Sequence, residues 1–135
     1  MINKYEIMDN RWVKGDFLMA SIPYITFAAN YLVEHFGGKI NIVNNTIYIE
    51  NSMDEFYCSL NPIDKTEKNK FRFWHRVKGQ QEYHRQIDRK NVIAGMYTCL
   101  NHDNKYSNIP YNRQERIKVQ KEIVEKWQIH KNEMK

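Results

Sequence analysis

Between Lys68 and Lys90 the chain interleaves cations with aromatic rings, most densely across Lys68, Lys70, Phe71, Arg72, Phe73, Trp74, His75, Arg76 and Lys78. Arginine and lysine neutralise phosphates, and a neighbouring ring stacks on an unpaired base, so this mixture suits a nucleic-acid strand. The expected contact surface comprises Lys68, Lys70, Arg72, Trp74, Arg76, Lys78, Arg85, Arg89 and Lys90. The same charges also fit a strand at a sheet edge, where cations discourage aggregation and Trp74 packs under an arginine.

Other chemistry is sparser. His84 and Asp88 stand one helical turn apart, and Cys99 with His102 forms a second pair at a spacing compatible with zinc. Each is only a pair, whereas a closed structural zinc site takes four ligands, so neither a metal nor a cofactor is expected. His75 falls on the apolar side of an alternating segment, where a hydrogen-bonded core histidine is the common outcome. The chain carries no nucleophile elbow, phosphate-binding loop or dinucleotide fingerprint. Hydrolytic chemistry would require His75 and His84 to meet Glu82 or Asp88 in space, and the expectation is a non-enzymatic protein.

Charge is distributed unevenly along the chain. The formal net charge is +5, yet residues 1–64 hold four basic against eight acidic side chains, while residues 65–90 hold nine basic and three acidic. An alternative partner is therefore a protein. The acidic half, with Asp9, Asp16, Asp54, Glu55 and Asp64, suits a basic groove, and Ile117, Val124 and Trp127 on a C-terminal helix supply apolar contacts. Abundant asparagine, isoleucine and lysine is what AT-rich codons encode. That frames the alternative as a phage- or plasmid-type inhibitor or adaptor of a host enzyme, such as one that handles nucleic acid. Homodimerisation through the last helix is compatible with both readings.

These residues need a frame. At 135 residues, 41% hydrophobic and 13% aromatic, the chain fits one folded domain, with a possible subdomain joint near 61–70. Cys58 and Cys99 lie far apart behind a start that does not read as a secretory signal, so free thiols and a cytoplasmic location are expected. Phe17 to Val33 is apolar but contains Ser21, Pro23, Thr26 and Asn30, and reads as a buried helix rather than a membrane span.

The resulting fold class is α+β: a central buried helix, an Ile-faced β-hairpin, a further basic strand and two C-terminal helices. The helix spans roughly 22–36 and stops at Gly37 and Gly38. Asn44 and Asn45 form a type I′ turn that sets Val43 opposite Thr46, Ile42 opposite Ile47, and Ile40 opposite Ile49. Ser52, Asp54 and Glu55 resemble a helix start and predict a short helix to about Leu60. Residues 71–78 alternate as a strand with one basic face. After Gly79 a helix of about 20 residues is expected. A capping box of Asn112 and Glu115 opens the last helix, which aligns Ile117, Val119, Ile123, Val124 and Trp127.

Overall fold

The computed structural model describes residues 12–14, 19–60, 71–89, 91–102 and 113–133. Two short strands, β1 (Trp12–Lys14) and β2 (Met19–Ser21), pair antiparallel and lead into helix α1 (Ile22–Phe36). Ser21 caps that helix, its hydroxyl accepting from the Tyr24 amide at 3.2 Å, and Pro23 sits in the first turn where its missing N–H is not needed. Gly37 ends α1 at φ +81° and returns its amide to the Val33 carbonyl. Gly38 follows at φ +82°, where a Cβ would stand 2.6 Å from the Glu50 carbonyl oxygen, so the sharp entry into the sheet requires glycine twice over.

Five strands then form an antiparallel meander: β3 (Lys39–Val43), β4 (Thr46–Glu50), β5 (Asp54–Ser59), β6 (Phe71–Val77) and β7 (His84–Arg89). The β3–β4 hairpin has the expected register, from Val43 opposite Thr46 to Lys39 opposite Glu50. Asn44 and Asn45 adopt φ of +48° and +67°, the positive values of a type I′ turn. Ile47 and Ile49 are fully buried, with Ile40 and Ile42 packed beside them, so all four isoleucines face the helices.

Two expectations are corrected. Residues 54–59 form strand β5 rather than a short helix, because the polar residues before it serve a turn: the Asn51 side chain accepts from the amides of Met53 and Asp54. The helix expected from residue 80 begins only at Val92. Residues 84–89 instead pair along β6, and α2 (Val92–Leu100) starts after Asn91, whose side chain caps the amides of Ile93 and Ala94. The last helix, α3 (Arg113–Glu133), is present, while the proposed cap at Asn112 lies outside the described residues.

One face of the sheet packs on the helices. Ile47, Ile49, Phe56, Cys58, Phe71 and Phe73 meet Ile25, Ala28 and Leu32 of α1, Val92, Met96 and Cys99 of α2, and Val119 and Ile123 of α3. Both cysteines are free and buried. Among the described residues no helix is long and apolar enough to cross a membrane.

Candidate functional site

Among the described residues, no helix packs on the opposite face of the sheet. Strand alternation puts Arg72, Trp74 and Arg76 there, with Phe71, Phe73 and His75 buried on the other side, as the sequence pattern predicts. Register then generates a row no linear motif announces: Asn41, Tyr48, Tyr57, Trp74 and Arg85 are successive cross-strand neighbours over all five strands. Tyr57 and Trp74 lie nearly parallel, at 13° and 6.2 Å between centroids, and Tyr83 meets Tyr57 edge-on at 4.7 Å. Tyr48 is 48% exposed at the open side of this row.

The cations of the face are held by carboxylates. Arg72 donates through Nε and Nη2 to the two oxygens of Asp88, and Arg85 adds a third bond to Asp88 Oδ2 at 2.6 Å. Arg85 and Asp88 share this face because the β6–β7 register shifts between Phe73 and Trp74, a bulge that changes the alternation between them. Burial alone would push the Asp88 carboxyl up, but hydrogen bonds and charge from Arg72, with Arg85 beside them, hold it below its ordinary value. Arg76 bonds Glu55 Oε2 at 3.1 Å and lies 4.4 Å over the Tyr83 ring, and Lys78 reaches Glu50 at 2.8 Å.

The remaining residues expected at the interface separate from these. Arg89 stands opposite Phe71, at a register position on the helix-packed side, and is half-buried, so it does not share the outer face with Arg85. Lys68, Lys70 and Lys90 lie outside the described residues. On α3, Trp127 packs against Tyr24 and Phe27 of α1 at 5.6 and 5.3 Å, while Ile117 and Val124 are 37% and 47% exposed.

A second constellation, legible only in part from sequence, lies at one end of the helix-packed face. Asp54 opens β5 and is diagonal to His75 on β6, whose cross-strand neighbour on β7 is His84; His102 follows α2. His75 Nε2 stands 2.6 Å from Asp54 Oδ1, His102 Nδ1 3.2 Å from Asp54 Oδ2, and His75 Nδ1 3.1 Å from His84 Nε2. His75 and His84 therefore do meet, but with Asp54 rather than Glu82 or Asp88. The two sequence pairs dissolve: His84 points to the inner face while Asp88 points outward, and the Cys99 thiol, which burial pushes well up, sits in the apolar core.

No protein-family model, curated protein or solved structure matches this chain.

Proposed function

We propose that the protein is a non-enzymatic accessory factor that binds single-stranded nucleic acid across the outer face of its sheet. The observation that carries this reading is the row of Tyr48, Tyr57, Trp74 and Arg85, bordered by Arg72, Arg76 and Lys78. Neighbouring strands are about 4.8 Å apart, so the three rings form a platform spanning roughly 10 Å, enough to meet more than one base of an extended strand. A flat sheet face does not enter a duplex groove, whereas splayed bases reach it directly.

Carboxylate pairing shapes the expected energetics. A phosphate must compete with Asp88, Glu55 or Glu50 for each cation, so stacking carries more of the affinity than counterion release, and the salt dependence is shallow for so basic a surface. Fluorescence anisotropy with labelled single-stranded DNA, single-stranded RNA and duplex DNA tests this. Micromolar binding to single strands that falls about tenfold or more in both Tyr57→Ala and Trp74→Ala is expected, equivalent to roughly 1.4 kcal/mol or more. Unchanged binding in both variants, or a preference for duplex, would sink the assignment.

A protein target is the second reading, favoured by the outward apolar side chains Ile117 and Val124, seven positions apart on α3. A stoichiometric complex lost on Val124→Asp, together with no affinity for any oligonucleotide, would select it. If that complex is with a second copy of the chain, light scattering reports a dimer.

A further inference from the structure

We propose that Asp54, His75 and His102 bind one divalent transition-metal ion of the zinc class, which pins the C-terminal end of α2 to strands β5 and β6. Three separate parts of the chain bring a carboxylate oxygen and two imidazole nitrogens together, and one donor atom from each lies within 4.8 Å of the other two. Around a tetrahedral ion at ordinary bond lengths, such donors stand about 3.3 Å apart. The observed separations of 2.6 and 3.2 Å on the two sides of Asp54 both fall short of that value, so the side chains rotate apart to admit the ion. Two imidazoles and one carboxylate make a donor set chemically suited to zinc, cobalt or nickel rather than to calcium or magnesium, which take oxygen ligands.

The surroundings are built as a metal site requires. All three residues are buried, at 3%, 5% and 8% exposure. Phe56 forms an apolar wall against both imidazoles, its ring 4.8 Å from His75 and 5.4 Å from His102. Outer contacts orient the ligands. With His75 Nε2 on the metal, its Nδ1–H donates to His84 Nε2, which fixes the tautomer and the ring plane. Asn51 accepts from the Asp54 amide at 2.7 Å while its own amide group donates to the Cys99 carbonyl at 3.3 Å, so one side chain holds the Asp54 backbone against α2. The two rings approach opposite carboxylate oxygens, with centroids 4.7 Å apart and planes tilted by 34°, so both imidazoles converge on one carboxylate.

The test uses untagged full-length protein, stripped with chelator and then titrated with Co²⁺ and with Zn²⁺. Saturation at one ion per chain, visible d–d bands of a four- or five-coordinate cobalt site that zinc abolishes, and a Tm rise on the order of 10 °C with excess zinc are expected. Asp54→Asn and His102→Ala should abolish the cobalt bands, and His84→Gln should weaken binding by about 10- to 100-fold. His35→Ala and His130→Ala, on α1 and α3, should leave stoichiometry and spectrum unchanged. Far-UV circular dichroism identifies any ligand variant that fails to fold, and the wild-type cobalt spectrum decides the matter independently. Absence of d–d bands and of a Tm shift in the wild type overturns the proposal, as does full cobalt binding by a folded His102→Ala.

Discussion

Asp88 shows how a single side chain can conceal a charged surface. It accepts three hydrogen bonds from two arginines that the sequence presents as free cations. Replacing it with asparagine keeps the shape but removes the charge that, on the proposed function, would compete with phosphate. Asp88→Asn is therefore expected to tighten single-strand binding and steepen the salt slope by about 0.7 for each additional phosphate neutralised, read by anisotropy across a salt series. The same change alters acid stability. The Asp88 carboxyl is held below its ordinary value of 3.8 when folded, so its contribution is present above that value and disappears as pH falls through the lower, folded value. Urea midpoints measured between pH 5 and pH 2, on the order of the usual carboxylate range, should fall less steeply in Asp88→Asn than in the wild type. The thiols make a complementary case. Burial raises both Cys58 and Cys99, leaving almost no thiolate at neutral pH. Neither should react with a thiol-specific disulfide reagent until the chain unfolds, and rapid native labelling would contradict the packing described for both.

At the scale of elements, local chemistry was legible wherever it was decided locally. The Asn44–Asn45 turn and the alternating isoleucines fix the first hairpin because a one-residue slip would expose half of that apolar face. Strand β6 reads as directly from Phe71, Phe73 and His75. Strands β5 and β7 were hidden for different reasons. Asp54 and Glu55 look like a helix start, yet Asp54 is buried among imidazoles, and the polar run His84 to Arg89 is held as a strand by its pairing with β6 rather than by β-branched residues. The candidate sites share that limit. The basic residues were visible, but the ring row depends on five-strand register, and the Asp54–His102 approach joins positions 48 apart in sequence. Helix α2 offers a test of how tightly the layers fit. Gly95 is buried, and a Cβ there would overlap the Phe73 ring, itself fully buried. In an exposed helix Gly→Ala gains about 1 kcal/mol. Here overpacking costs about 1–3 kcal/mol or more, so Gly95→Ala should lower the urea midpoint, and a stabilised variant would show that α2 can move off the sheet.

Across the whole molecule, the two faces of the sheet do separate work. The aromatic row lies on the side where no described helix packs, and the core lies on the other, so damage to the helical layer should reach the row only through global unfolding. Helix α3 is the element on which to test this. Among its described side chains only Val119 and Ile123 are buried, and its attachment also runs through Trp127 on Tyr24 and Phe27, through His130 on Phe27, and through Tyr31, whose hydroxyl donates to Glu122 at 2.8 Å. A 21-residue helix with so narrow an apolar contact owes its order to docking more than to propensity. Removing the indole in Trp127→Ala should cost about 1–3 kcal/mol, below the usual range for a fully buried tryptophan because the ring is only half-buried. Hydrogen exchange should then accelerate by about tenfold or more along α3, while amides of β5 and β6 keep their relative protection and single-strand affinity stays within about twofold of wild type. Equal acceleration in the sheet would mean that α3 and the meander open as one cooperative unit, and loss of affinity in the folded variant would place part of the binding surface on the helical side.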